Sequence, residues 1–173
     1  MNRVAMLGVA IVAAAVPGGV QGAELLGGLY VHDVKTPLDI SGIESGADVL
    51  LGYRGGRLLH SPLQPYLFAA LNSAGNTSYA AAGLSARLDF GSRWYIRPGL
   101  GIAIHTGSAD KHYRSDKIAF GSRVLFEPEL GIGARLSTRL SLEASWIHMS
   151  HAQVFGKENP GIDNLGMRVN LSL

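Results

Sequence analysis

Cysteine is absent from the 173 residues, which excludes disulfides as a source of stability. Small exported domains commonly rely on them, so this chain must be held together in some other way. A large charge excess is lacking too. The formal net charge is +2, a mild basic lean that leaves no nucleic-acid footprint, and nucleic acid is not an expected partner. Beyond the N-terminus no apolar run is long enough for a transmembrane helix. Helical hydrophobic periodicity is missing as well.

What is present begins with an export signal. Arg3 precedes an apolar run from Val4 to Val16, too short to cross a bilayer as a helix, and Val20-Gln21-Gly22 before Ala23 offers a small-residue cleavage site. Residues 1–22 are therefore expected to be a signal peptide, and residues 23–173 a single domain. That domain is rich in glycine, with 23 in the whole chain, and much of it alternates apolar with polar residues. Export, glycine and alternation together suggest a membrane β-barrel.

Alternation bounded by turn residues predicts eight strands: Glu24–His32, Gly46–Arg54, Leu63–Asn72, Thr77–Phe90, Trp94–His105, Ser122–Leu136, Arg139–Ser150 and Ile162–Leu173. The fold expected is all-β, an eight-stranded antiparallel transmembrane barrel of the bacterial outer membrane. Short links (91–93, 137–138) and long ones (106–121, 151–161) fall at opposite ends, as in outer-membrane barrels. In the later strands one parity is apolar, for example Trp94, Ile96, Leu100, Ile102 and Ile104. The other mixes charge with glycine, as in Arg123, Glu127, Glu129, Gly131, Gly133 and Arg135.

A soluble barrel shows the same alternation with its apolar face inward. The export signal and the near-uniform apolar parity favour the membrane case. Eight strands enclose a space that side chains just fill, so Arg87, Arg97, Arg135 and Arg168 are expected to pair inside with Asp89, Glu127, Glu129 and Glu143 rather than line a pore. Pro98 and Pro128 lie within strands, where a closed barrel has no free edge for them, and bulges or bends are expected there.

The apolar parity carries one anomaly. Leu140, Leu142, Ala144 and Trp146 share a face that His148 and Ser150 continue; Leu165, Met167, Val169 and Leu171 share one that Asp163 continues. A base, a hydroxyl and a carboxylate thus fall on the greasy parity of two consecutive strands, at the end expected to face outward. Residues two apart on a strand have α-carbons roughly 6.5–7 Å apart, within reach of an imidazole leaning onto a hydroxyl. Ser150 would be the nucleophile toward an acyl ester, His148 the base and Asp163 the group that orients it. An oxyanion stabiliser would come from the loop amides near His151–Gln153, Ala152 among them, or from Asn159. The plainer reading makes His148 and Ser150 interfacial polar residues beyond an aromatic belt at Trp146, and Asp163 a turn acid after Pro160-Gly161.

The same segment resembles the signature of the lipid A 3-O-deacylase family, small outer-membrane barrels that hydrolyse an ester-linked acyl chain of lipopolysaccharide. That pattern is His-x-Ser followed by Asn-Ala, then about ten residues on Asn-x-Gly-Ile and an acidic residue. Here it stands as His148-Met149-Ser150-His151-Ala152 and Asn159-Pro160-Gly161-Ile162-Asp163. The resemblance implies His148 as base, Ser150 as nucleophile, Asp163 in the place of the family's glutamate, and Asn159 as the loop asparagine of the oxyanion site. It also implies lipid A as substrate, a site facing the outer leaflet, and no cofactor. His151 in place of asparagine and the shorter Asp163 are departures. A homodimer is compatible with the sequence but not indicated by it.

Two other features carry less. His105, Lys111, His112, Arg114 and Lys117 in or beside the 106–121 loop could touch lipid phosphates, or form an ordinary solvated loop; no metal site is expected from His105 and His112 without further ligands at suitable spacing. Gly99-x-Gly101 and Gly131-x-Gly133 lie inside strands and open no helix, so they are barrel glycines rather than nucleotide loops. The competing function class is a non-enzymatic structural or adhesive outer-membrane barrel, for which Ser150 would be dispensable. A soluble ligand-carrying barrel would leave the cell without detergent.

Overall fold

The computed structural model describes residues 22–37, 42–59, 61–110, 117–152, 154 and 160–173. The expected signal peptide lies outside them apart from Gly22. Regular structure among the described residues is all strand: β1 Glu24–Val31, β2 Ala47–Arg54, β3 Leu63–Asn72, β4 Tyr79–Ala86, β5 Leu88–Phe90, β6 Trp94–His105, β7 Val124–Arg135, β8 Leu140–Met149 and β9 Ile162–Ser172. Every strand pairing is antiparallel, and β9 returns to pair with β1. β4 and β5 are two parts of one barrel strand: both pair with β6, Ser85↔Gly99 and Leu88↔Ile96 lying in one register. The result is a closed barrel of eight strands without an exposed edge.

The prolines do not insert residues. Along β6 and β7 the register runs unbroken from Trp94↔Ala134 through Pro98↔Leu130 and Leu100↔Pro128 to Ile104↔Val124. Each proline instead coincides with an interruption in the ladder on its other side, consistent with its missing N–H. Pro98 faces the gap between β4 and β5. Pro128 faces the gap between the Glu129↔Ile147 pair and the Phe126↔Ser150 bridge, where the register sets it opposite His148. Phe126 and Ser150 exchange both backbone hydrogen bonds, at 2.8 and 3.1 Å. By antiparallel alternation the next such position is Pro128 with His148, and there proline has no N–H to give.

Polarity is inside out relative to a soluble barrel. Leu29, Leu67, Leu100, Ile102, Ile132 and Met167 are exposed on the outer wall, as membrane hydrocarbon requires, while Arg54, Arg97, Glu127, Glu143 and Arg168 are fully buried in the lumen. Charges in so dry a space must be paired. Arg168 donates to Glu129 at 2.8 Å and to Glu143 at 2.5 Å; Arg97 reaches Glu24 at 2.9 Å and Glu143 at 3.3 Å. Arg54 bonds Glu24 at 2.9 Å. Of the expected partners, Glu127 accepts instead from the Tyr66 hydroxyl, and Asp89 pairs with Arg87 and Arg135 near one rim. Glu24 and Arg54, from the first two strands, complete the network. Glycines make room for it: at Gly99 an added Cβ would stand 2.6 Å from Glu129 Cγ.

Removing Arg168 would leave two buried carboxylates short of their shared cation. Arg168→Ala is expected to cost roughly 3–5 kcal/mol, read from urea unfolding in lipid vesicles. A loss below about 1 kcal/mol would contradict the lumenal network as the barrel's main fastening.

Candidate active site

The long connections, 32–46 and 106–123 among them, gather at one end of the barrel, and β8 and β9 carry the candidate residues there. Register does the assembling. His148 and Asp163 are direct partners across the β8–β9 ladder, one pair beyond Ile147↔Asn164 and two beyond Trp146↔Leu165. Both project from the outer wall, since their parity is that of Trp146 and Leu165 while Ile147 and Asn164 point into the lumen. His148 Nδ1 donates to Asp163 Oδ1 at 2.7 Å, which leaves Nε2 for proton transfer. Trp146 Nε1 donates to the same oxygen at 2.9 Å, and its ring stacks on the imidazole with centroids 5.9 Å apart. Thr36 Oγ1, from the loop after β1, donates to Asp163 Oδ2. The carboxylate lies under these groups with no exposed surface, although it belongs to the lipid-facing parity.

Ser150 follows β8 and is 8% exposed, its backbone held to Phe126 of β7. Among the described residues its hydroxyl makes no hydrogen bond to His148; the two side chains share Gly161 as a neighbour. Gly161 has φ +64°, and a Cβ there would stand 3.1 Å from His148 Cε1 and 3.6 Å from Ser150 Cβ. The positive φ turns the chain into β9, and the missing side chain leaves the space between base and hydroxyl open. Ala152 sits exposed in the turn after Ser150 with φ +50°. His151 between them is fully buried. Asn159 and Gln153, the other oxyanion candidates, lie outside the described residues.

His105 points into the barrel mouth rather than toward lipid: its Nε2 hydrogen-bonds Ser122 O at 2.7 Å and its ring packs on Phe120. Lys111, His112 and Arg114 lie outside the described residues, and Lys117 is exposed. The partners of Asp163 were not all legible. Trp146 shares a strand face with His148 and lies two residues away, a usable signal; Thr36 is 127 residues from Asp163 and carries none.

A buried acid–base cluster anchors the Thr36 loop. His32 donates from Nδ1 to Asp48 at 2.9 Å and from Nε2 to Glu44 at 3.1 Å. Glu44 also accepts from the backbone of Thr77 at 2.9 Å and Ile118 at 3.4 Å. Burial alone would lower the His32 pKa, but the hydrogen bonds to Asp48 and Glu44 outweigh it and raise it to about 9. Burial would raise that of Glu44, yet hydrogen bonds from His32 and Thr77 lower it to about 2.

The closed antiparallel barrel with its apolar outer wall and charged lumen defines the class: a β-barrel of the outer membrane. The lipid A 3-O-deacylase (PagL) family model matches residues 46–172, more than half of the chain. The chain therefore belongs to the PagL family of lipid A 3-O-deacylases, ester hydrolases that act on lipid A. Among solved structures, the outer membrane enzyme PagL superimposes with TM-score 0.57 at 19% identity, covering 86% of this chain and 99% of that one. A de novo designed transmembrane β-barrel gives 0.53 at 12%, covering 87% and 97%. Neisserial surface protein A gives 0.51 at 15%, covering 90% and 100%. At these identities the likenesses speak for the barrel fold alone. No curated protein sequence matches the chain significantly.

Two predictions follow from this geometry. Gly161→Ala forces an L-residue into left-handed backbone against the imidazole, so activity is expected to fall about five- to thirtyfold, from a strain of about 1–2 kcal/mol. Unchanged turnover would show that this space is not used. For the cluster, the sign follows from the raised His32 value: its contribution to stability is complete below about 6.5, the ordinary histidine value, and is lost as pH rises through about 9. Glu44 acts oppositely, its contribution complete above about 4.5 and lost as pH falls through about 2. Hydrogen exchange of the Thr77 and Ile118 amides, corrected for intrinsic pH dependence, is expected to lose protection above pH 9; constant protection up to pH 10.5 or so would contradict it.

Proposed function

We propose that the chain hydrolyses the 3-O-linked acyl ester of lipid A with Ser150 as nucleophile, His148 as general base and Asp163 as the acid that orients it. Family membership makes it an ester hydrolase of the outer membrane; the assignment of roles is our reading. The observation that carries it is the 2.7 Å hydrogen bond from His148 Nδ1 to Asp163 on the lipid-facing wall, with Ser150 two residues beyond. A carboxylate so placed selects the Nδ1–H tautomer and turns the Nε2 lone pair toward the outer side as the acceptor.

In the acylation step Ser150 Oγ attacks the ester carbonyl carbon while its proton passes to His148 Nε2. The tetrahedral oxyanion collapses, the bond to the sugar 3-oxygen breaks, and His148 returns the proton to that oxygen. Water then attacks the acyl-Ser150 ester by the same route and releases the fatty acid. The Ala152 amide and the Asn159 side chain are the oxyanion donors we favour. The ester linkage of lipid A lies where acyl chains meet sugar, and the external end of an apolar wall is at that level. Phe126 and Pro128 flank Ser150 and His148 on β7, with Ile102 and Leu100 next on β6. An acyl chain leaving the site across β7 and β6 meets these apolar side chains. All three roles fall within one chain, so self-association is not needed for them. Residues 1–22 serve, in this reading, as the export signal.

Mass spectrometry of lipid A from a Gram-negative host tests the reading. Wild-type protein is expected to remove one 3-hydroxyacyl chain, and Ser150→Ala to lose at least about 10³-fold in rate. Loss of the chain with both proteins would move the nucleophile elsewhere. Retention with both, from protein folded in the outer membrane, would favour the non-enzymatic barrel.

A further inference from the structure

We propose that Thr36, on the loop between β1 and β2, is a positioning residue for this site, acting through Asp163. The inference rests on the roles assigned above to His148, Ser150 and Asp163. An aspartate carboxylate turns about a broad, roughly two-fold torsion, so donors on one oxygen do not by themselves fix its plane. Asp163 Oδ1 receives both His148 Nδ1 and Trp146 Nε1. Thr36 Oγ1 is the donor on Oδ2, on the opposite side of the group. With both oxygens engaged the carboxylate cannot rotate without breaking a charge-assisted hydrogen bond. The plane of the imidazole, and hence the direction of Nε2, follows from it.

The loop that carries Thr36 is itself fixed in place. Val34 N donates to Asp163 O at 2.7 Å, and Asp33 N to Asn164 Oδ1 at 3.0 Å, so the chain before Thr36 is tied to β9 beside the carboxylate it serves. Asp33 turns the backbone with φ +54°, and its carboxylate accepts from the amides of Gly42, Ile43 and Glu44 at 3.1, 2.6 and 2.7 Å. Glu44 then joins the loop to His32, Thr77 and Ile118. A loose surface loop would offer a hydroxyl only intermittently. This one is stapled to three other segments, β9 and the links that carry Thr77 and Ile118, and presents a neutral donor that does not compete with His148 for the proton.

Thr36 touches the acid rather than the substrate side of the imidazole, so its loss should appear in kcat and not in KM. The test uses the full mature barrel refolded in detergent with purified lipopolysaccharide. Wild type, Thr36→Val, Thr36→Ser and Ser150→Ala are compared. Valine keeps the shape and removes the donor; serine restores the donor. We expect Thr36→Val to lower kcat about ten- to a hundredfold, from the worth of a hydrogen bond to a charged group, with KM within about twofold of wild type, and Thr36→Ser to recover most of the rate. Wild-type kcat in Thr36→Val overturns the proposal, as does a change confined to KM or an equal loss in the valine and serine variants. A Ser150→Ala protein that remains active instead overturns the assignment of the nucleophile, an outcome the Thr36 variants cannot mimic. Folding of each variant is checked by the faster electrophoretic mobility of the unheated barrel, and Thr36→Ala, which also removes the donor, takes the place of valine if valine does not fold.

Discussion

The ion-pair network in the lumen is the constraint on which the rest of the structure depends. Eight strands close around a space with room for little but side chains, and here Arg54, Arg97 and Arg168 fill it against Glu24, Glu129 and Glu143. Buried charges of this kind stabilise only when every partner is present, so the interior is committed to the fold. In the proposed reading the chemistry belongs to the outer wall and the loops.

On that wall the period of two is both a restriction and a positioning device. His148 and Asp163 meet because the β8–β9 register makes them direct partners, and a shift of β9 by one residue would turn Asp163 toward the lumen, away from His148. Opposed residues on adjacent strands lie close enough for an aspartate to reach the imidazole. The greasy parity then has to shelter a carboxylate, which is done with protein groups: Trp146 covers it along β8 and the Thr36 loop covers its far side. Pro128 marks the neighbouring edge of the site. Opposite His148 it withholds a ladder donor, so the backbone there is fastened chiefly toward β9, the strand that carries the acid.

Most of the fold was legible in the sequence, because lipid and lumen impose opposite demands on alternate residues. Leu63–Asn72 and Trp94–His105 were bounded to the residue, and the other strands differ at their ends by one or two residues or, in the fourth, by the interruption at Arg87. The first three strands alternate poorly, with Gly27, Gly28 and Tyr53 blurring the parity of the first two, and Glu24 and Arg54 were missed as lumenal charges for that reason. Proline misled in one respect: the register stays intact past Pro98 and Pro128, since a single missing N–H opens one rung without adding a residue. At the site, shared parity on adjacent strands was enough to bring His148 and Asp163 together. It could not reveal Thr36 or the His32 cluster, whose contacts cross loops that follow no periodicity. The oxyanion candidate Asn159 lies outside the described residues.

The most direct test of the account is covalent labelling of the folded, detergent-solubilised barrel with a fluorophosphonate, followed by peptide mass mapping. A single adduct is expected at Ser150, and it is expected to disappear when His148 is replaced by alanine, because only an imidazole held by Asp163 makes that hydroxyl nucleophilic. An adduct on another residue, or labelling of Ser150 that survives loss of His148, would contradict it.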